Sequence, residues 1–169
     1  MRLKAGDWVE VRSKEEILGT LDSQGQLEHV PFMPQMFKYC GKRFKVYKSA
    51  HKTCDTVNPI RSLRVTDAIH LELRCDGEAY GGCQAACLIF WKTAWLKPVE
   101  ENHSATSKNS TITGKTHGNC EHGDCTEENV WRGTRKDLMD AGPAIRYQCQ
   151  ATQVPYYGEA LPWWDTRQY

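Results

Sequence analysis

Short segments in which apolar and polar residues alternate run through the first part of the chain, and they are the strongest constraint on its fold. The cleanest is AIHLELRC, residues 68–75, where Ile69, Leu71 and Leu73 alternate with polar neighbours. DWVEVR and RFKVYK, further upstream, follow the same period of two. Because side chains along a strand point to opposite faces in turn, each segment predicts a half-buried β-strand. The sequence therefore predicts a mainly β (α+β) protein.

A different pattern follows at residues 75–100. The run CQAACLIFWKTAWLK begins after Gly81 and Gly82, contains no Gly or Pro, and is longer than a typical strand. These features predict a helix. Cys83 and Cys87 would then lie one turn apart on the same helix face. The helix would present two thiols in one direction.

The second half of the chain divides into a polar stretch and a return to the core. Residues 101–130 are rich in Ser, Thr, Asn and Gly, with few side chains able to enter a core, and they predict an insertion. Beyond it, AIRYQCQAT alternates again and predicts a strand. We expect this C-terminal segment to pack back on the first hundred residues.

AGDWVEVRS places a Gly-Asp pair directly before the first predicted strand, and YCGKRFKVYK follows downstream. This stretch resembles the opening of SH3-like small barrels, in which a Gly-Asp turn launches the first strand. The segments PFMPQMFKYCG, KTCDT, RCDG, GGCQAACLIFW and YQCQAT resemble an uncharacterised bacterial family of cysteine-containing proteins. Neither resemblance implies an activity, since such barrels carry unrelated functions. The expected organisation is a single domain over 1–169, with an SH3-like barrel (1–74), a Cys-bearing helix (75–100), a polar insertion (101–130) and a C-terminal return segment (131–169).

Composition and the N-terminal residues indicate which cellular compartment to expect. The opening MRLKAGDWVEVRSKEEI lacks the apolar stretch of a secretory signal, and no run approaches the roughly 20 apolar residues of a membrane span. A cytoplasmic location without a membrane partner is therefore expected. In that reducing compartment, the eight cysteines are expected to be thiols or metal ligands rather than disulfides. The sequence specifies no partner, although a redox partner protein would suit this cysteine content.

Four of the cysteines would complete a metal site if the C-terminal strand lies beside the start of the predicted helix. Iron–sulfur clusters are held by four thiolates, and zinc accepts the same ligands. The spacing C-x7-C-x3-C matches neither a ferredoxin run nor structural zinc, and buried free thiols are the alternative. The sequence therefore predicts a cysteine-ligated centre, iron–sulfur ahead of zinc, for electron transfer, redox sensing or structural clamping. The ligands would be Cys75, Cys83, Cys87 and Cys149, with Cys54 as a substitute and Phe90, Trp91 and Trp95 as the surround.

A second set of metal-ligating residues lies in the polar insertion. HGNCEHGDC holds two histidines and two cysteines within nine residues, and such short spacing suits zinc or another borderline metal. A flexible loop of this composition also binds metals without any biological role. The residues of this second predicted site are His117, Cys120, His122 and Cys125.

Two other function classes stay open. KYCGKRFKVYKSAHK is basic with interleaved aromatics, as a nucleic-acid groove requires, and Lys42, Arg43 and Lys45 would be the contacts of a zinc-stabilised nucleic-acid or protein-binding module. Lysines on a solvated strand face give the same pattern, and the formal net charge of +1 argues against a nucleic-acid partner. If one of the four cysteines is not a ligand, an open metal position would permit catalysis. Cys54 near His51 would allow thiol chemistry.

Overall fold

The computed structural model describes residues 3–55, 62–99, 125–136 and 146–166. Most of this part of the chain is built from short strands and single helical turns. The elements, in chain order, are β1 (Trp8–Val11), α1 (Lys14–Leu18), β2 (Gln26–Leu27), β3 (Val30–Pro31), a 3-10 helix (Pro34–Tyr39), β4 (Arg43–Ser49), β5 (Thr53–Cys54), β6 (Ser62–Arg64), β7 (Ala68–Arg74), a 3-10 helix (Glu78–Tyr80), β8 (Leu88–Lys92), a 3-10 helix (Thr93–Trp95), β9 (Leu96–Val99), α2 (Glu127–Arg132), β10 (Arg135–Lys136), β11 (Arg146–Tyr147), α3 (Gln150–Tyr157) and β12 (Glu159–Ala160).

The main sheet has five antiparallel strands in the order β8-β7-β4-β1-β9. Strand β1 pairs with β4 on one side and with β9, the last of the five in sequence, on the other. This pairing of first and last strands curls the sheet into a half-barrel. The predicted fold class, mainly β with few helices, is confirmed. The likeness to SH3-like barrels stays a prediction.

The three alternating segments form strands as predicted. In β1, Val9 and Val11 are buried while their neighbours are half-exposed. In β4, Val46 is buried between the exposed Lys45 and Tyr47. In β1 and β4, one face lies in the core and the other toward solvent, which is the environment that alternation encodes. Strand β7 differs, because both of its faces are buried from Ala68 to Leu71.

The helix predicted over residues 75–100 is wrong. The chain there forms a loop, then β8, a 3-10 turn and β9. Trp91 on one face of β8 packs against Tyr39 of the core, and Phe90 on the other face packs against Tyr157 of α3. Because β8 is covered on both faces, it reads as a continuous apolar run, and such a run cannot be told from a buried helix by its periodicity. Cys83 and Cys87 therefore do not share a helix face.

The predicted C-terminal return strand is wrong for most of its length. Of its described residues, from 146 onward, Arg146–Tyr147 alone forms a strand, and α3 begins at Gln150. The segment nevertheless packs back on the sheet, because Val154 enters the core and Gln150 hydrogen-bonds to β8. The return to the core is thus helical.

The predicted polar insertion is described only at its end. Residues 100–124 lie outside the described residues, and α2 occupies the last part of the predicted stretch. The side chain of Thr126 accepts a hydrogen bond from the N–H of Asn129 and so caps α2. Across the described ranges, no helix has both the length and the apolar character to cross a lipid bilayer.

Candidate metal centre

The hairpin of β7 and β8 places two cysteines opposite each other. Arg74 pairs with Leu88, and the N–H of Cys75 donates to the carbonyl of Cys87 at 2.9 Å. Cys75 and Cys87 are therefore the next facing pair of the antiparallel ladder, with their side chains on the same face. Their thiols are neighbours although 11 residues separate them in the sequence.

Gly77 allows the loop between these cysteines to fold back on itself. Its φ of 73° lies in the left-handed region, and a Cβ at this position would overlap the carbonyl oxygen of Cys83. A glycine alone satisfies both conditions. The carbonyl of Gly77 accepts hydrogen bonds from Tyr80 and Gly82, at 2.9 and 3.0 Å. This closed turn holds the backbone of Cys83 against the start of the loop.

Gln150 anchors the segment that carries the fourth cysteine. Its side chain is buried, and its Oε1 accepts from the N–H of Phe90 at 2.8 Å. Its Nε2 donates to the carbonyls of Phe90 and Pro31, each at 2.9 Å. Gln150 thus satisfies both backbone groups of Phe90, as a neighbouring strand would. Because Cys149 directly precedes Gln150 and caps α3, the same contacts fix its position beside β8.

These segments enclose a cavity of about 30 Å³. All four predicted ligands line it, together with side chains such as Met33, Tyr80 and Leu88. Within the described ranges, no group of three or more His, Cys, Asp or Glu side chains already has metal-binding geometry. Metal binding therefore requires the thiols to draw together, and the exposed Cys83 has room to turn inward. The four lining cysteines are Cys75, Cys83, Cys87 and Cys149.

Burial sets the protonation of two of these thiols. It raises the pKa of Cys75 and of Cys87, and the neighbouring Cys149 thiolate adds to the rise in both. The charge of Arg74 opposes this effect at Cys87, and the Arg74 Nη1 donates to the carbonyl of Ala86 at 2.9 Å. Both thiols are therefore protonated at neutral pH without a metal, and since thiolates are the metal ligands, uptake must release protons.

The aromatic residues predicted to surround the centre lie elsewhere. Trp91 packs on Tyr39, and Trp95 packs on Phe32, with ring centroids 6.1 and 5.2 Å apart. Phe90 packs against His70 with ring centroids 4.6 Å apart. The cavity lining does not include Phe90, Trp91 or Trp95.

Sequence reasoning missed two residues that build this site. Tyr80 lines the cavity and is buried, and its position as the one aromatic residue of a glycine-rich loop was the available signal. Gln150 gave no signal, because a glutamine next to a cysteine usually indicates a solvated position. Its role depends on contacts with strands more than 50 residues away in sequence.

The other predicted metal ligands do not join this cavity in the described chain. Cys54 is exposed on β5 and is not among the lining residues. Cys125 is buried before α2, where its Sγ donates to the carbonyl of Thr126 at 3.6 Å. The rest of the second predicted site, His117, Cys120 and His122, lies outside the described residues.

The basic residues of the nucleic-acid alternative lie on the solvated side of β4 and its preceding turn. Arg43 forms an ion pair with Glu10 of β1 at 3.0 Å. The Nζ of Lys45 lies 5.2 Å from the centroid of the Trp8 ring. Lys42 is exposed at the strand entrance. Two of the three cations therefore already have partners on the neighbouring strand, which fits a solvated sheet face.

In the enzyme alternative, His51 would activate the thiol of Cys54, but its ring contacts the hydroxyl of Ser49 instead. His51 Nδ1 lies 2.7 Å from Ser49 Oγ and 3.2 Å from the Ser49 carbonyl oxygen. Among the hydrogen bonds of the described residues, none joins His51 to Cys54. Nothing in this arrangement activates the Cys54 thiol.

Compared with known proteins, the chain matches no family model, no curated protein and no solved structure. The function is therefore argued from the residues around the cavity.

Proposed function

We propose that this chain is a metal-binding protein in which four cysteine thiolates hold one metal centre. The observation that carries the proposal is that four cysteines, from the end of β7, the β7–β8 loop and the cap of α3, line one cavity. Cysteines that serve only as small buried apolar residues have no reason to converge from separate segments. The proposed ligands are Cys75, Cys83, Cys87 and Cys149.

The size of the cavity favours a single ion. About 30 Å³ is room for no more than about two water molecules. A zinc ion with four thiolates is tetrahedral and closed, which suits that space. An iron–sulfur cluster carries several iron and sulfide atoms and requires a wider opening of the loop. We therefore place zinc ahead of the iron–sulfur cluster, the reverse of the order that composition suggested.

The role we propose for the ion is structural. The exposed loop of residues 81–86 contributes no buried side chain, so it gains little stability from packing. A metal held by this loop and by Cys149 would join the hairpin to α3, and its binding free energy would add to the folding free energy. A zinc ion with four protein ligands leaves no position for a substrate.

An iron–sulfur cluster for electron transfer or redox sensing is the second candidate. The observation that favours it is the glycine-rich loop, in which Gly77, Gly81 and Gly82 all have positive φ. Backbone N–H groups of such turns form concave sites that stabilise negatively charged clusters. The two candidates differ in colour and in metal content.

The first experiment is metal analysis of full-length protein purified under anaerobic conditions. Elemental analysis showing about one zinc per chain in colourless protein would support the structural ion. Brown protein containing iron and acid-labile sulfide would support the cluster. Protein that holds neither metal, and that takes up neither during reconstitution, would contradict the proposal.

Single Cys→Ser substitutions test the ligands one at a time. Loss of Cys75, Cys83, Cys87 or Cys149 is expected to weaken metal binding by more than about tenfold, since even outer-shell changes cost that much. C54S and C40S are matched controls, because both cysteines lie outside the cavity lining. Full metal content in C149S would remove Cys149 from the ligand set. A loss in the controls equal to that in the four variants would contradict the assignment.

A further inference from the structure

A larger cavity, of about 810 Å³, opens at the opposite end of β7. It lies against Ala68 and Ile69 at the start of the strand, whereas Cys75 follows the end of the strand. At about 3.3 Å per residue, the path from Ala68 to Cys75 is about 23 Å. The volume falls in the range of small-molecule sites, roughly 300–1,000 Å³. This cavity is therefore a separate candidate site.

The cavity combines an apolar floor with hydroxyl groups. Leu3, Ala50 and Val65 are buried residues of the hydrophobic core that also line it. Ser49, Thr66 and Thr93 are further lining residues. Such a surface suits a ligand that has both an apolar body and hydrogen-bond acceptors.

Three cationic side chains also line this cavity, and two of them are available to a ligand. Lys4 and Lys48 are exposed, and neither takes part in an ion pair within the described part of the chain. The Lys48 Nζ lies 5.7 Å from the centroid of the exposed Tyr47 ring, a contact that leaves its charge without a counterion. Arg64 is already committed to Glu159, with its Nε and Nη2 2.9 and 2.7 Å from one carboxylate oxygen. Asp67 is the one acidic residue in the lining. The lining therefore keeps a positive balance.

We propose that this cavity binds a phosphorylated small molecule, a phosphate monoester whose organic part lies on the apolar floor. A monoester carries a charge of about −1.5 to −2 at pH 7 and three acceptor oxygens, so it can contact the Lys4 and Lys48 ammonium groups together although Asp67 is in the same lining. Lysine binds phosphate as a point charge. Thr66 adds a hydroxyl donor. When Ser49 donates its O–H to His51 Nδ1, 2.7 Å away, the Nε2–H of the ring is a further donor at the same cavity.

The test uses phenyl phosphate as the probe, titrated into full-length protein by calorimetry. The double variant K4Q/K48Q is expected to bind about tenfold more weakly or worse, since charge-assisted hydrogen bonds to phosphate are stronger than neutral ones. The control K42Q/K45Q removes the same charge from exposed lysines that do not line the cavity, and it should retain the wild-type affinity. Equal weakening in both double variants would overturn the proposal, because it would indicate diffuse surface charge. Absence of binding to the wild type at millimolar probe would also overturn it.

A second variant and a second probe sharpen the result. T66E places a carboxylate at the cavity and is expected to repel phenyl phosphate, again by about tenfold. Benzenesulfonate keeps the ring but carries a single negative charge, and equal affinity for the two probes would overturn the phosphate assignment. All these variants should retain the metal content of the wild type, since the two cavities share no lining residue. Failure at one site is therefore distinguishable from failure at the other.

Discussion

The half-barrel sheet and the β7–β8 loop are held in place by different means. The sheet buries large side chains completely, among them Trp91, Ile89 and Leu71. The loop exposes every residue from 81 to 86 and depends on the turn at Gly77 and the contacts of Gln150. Apolar burial is sufficient to stabilise the sheet. The loop has no comparable source of stability, and a metal ion bound by its thiolates would provide one.

The largest expected effect comes from removing a buried side chain of the 3-10 turn that joins β8 to β9 of the sheet. Trp95 is fully buried against Phe32, and its Nε1 donates to Thr20 Oγ1 at 3.1 Å. W95A should lower the free energy of unfolding by about 3–5 kcal/mol, because it leaves a cavity. Urea denaturation measures the change. The control W163A, at a side chain that is 80% exposed, should stay within about 0.5 kcal/mol of wild type. Similar values for the two variants would contradict this view of the sheet.

Breaking the contact between α3 and β8 should give the next largest effect. Q150L leaves the N–H and carbonyl of Phe90 and the carbonyl of Pro31 without their partner. We expect a loss of about 2–4 kcal/mol, since buried unsatisfied groups cost about 1–3 kcal/mol each and the structure relaxes in part. Metal binding should weaken as well, because Cys149 loses its anchor. The exposed Gln84 provides the control Q84L, and a Q150L protein as stable as Q84L would contradict the assigned role of Gln150.

The loop itself can be opened at a single position. G77A combines a φ of 73° with a Cβ that overlaps the carbonyl of Cys83, and it should cost about 1–3 kcal/mol. Metal content should fall while hydrogen-exchange protection of β4 and β7 persists, since the sheet does not depend on the loop. G82A has a similar φ of 75° but open space around its Cβ, so it should cost about 1 kcal/mol from conformation alone. Equal loss of metal in the two variants would count against the folded loop as the determinant of the site.

The smallest effect is a pH dependence that originates in the sheet. His70 is buried between β7 and β8, its Nδ1 donates to the carbonyl of Ile89 at 2.9 Å, and burial lowers its pKa. The unfolded chain, with an ordinary histidine pKa near 6.5, takes up a proton that the folded state resists. His70 thus contributes stability above about pH 6.5 that is lost as the pH falls toward its folded pKa.

Urea denaturation at pH 7.5 and at pH 5.5 measures this slope. H70N retains a donor for the Ile89 carbonyl and removes the titrating group, so its stability should change less between the two pH values. The control H29N, at an exposed histidine that does not contribute to the lowered pKa of His70, should keep the wild-type slope. If the stability of H70N changes between the two pH values as much as that of the wild type, the pH dependence originates in other groups.

Two of the three strands that the sequence predicted, β1 and β4, have one solvated face. The third, β7, is buried on both faces from Ala68 to Leu71, and its alternation is visible because the buried His70 is polar. Val9, Val11 and Val46 alternate with exposed neighbours, so their pattern matches the period of a strand. Strand β8 carries no such pattern because α3 covers its second face. Helix α3 was equally hidden, since its sequence QATQVPYY contains Pro155 and β-branched residues that disfavour a helix. Its formation depends on tertiary contacts, chiefly those of Gln150.

The sequence predicted which cysteines line the candidate site, but it did not predict how the fold brings them together. The number of cysteines near a glycine-rich turn was visible in the sequence, and the same four line one cavity. Their role as ligands stays a prediction. The sequence carried no information on the pairing of Cys75 with Cys87, because strand register is a long-range property. The small size of the cavity, which now favours a single ion over a cluster, also depends on how the three segments meet.

The irregular pairing of β7 with β8 sets where this protein tolerates changes in length. Ile69 pairs with Trp91 and His70 with Phe90, whereas Arg74 pairs with Leu88, so the register shifts by two residues within β7. Without that shift, Cys75 would face Ala85 rather than Cys87. Insertions at the exposed loop tip near Gln84 leave the pairing of Cys75 with Cys87 unchanged. A single residue added or removed between His70 and Arg74 would separate the thiols, so the spacing within the strand is under tighter restraint than the loop that carries the cysteines.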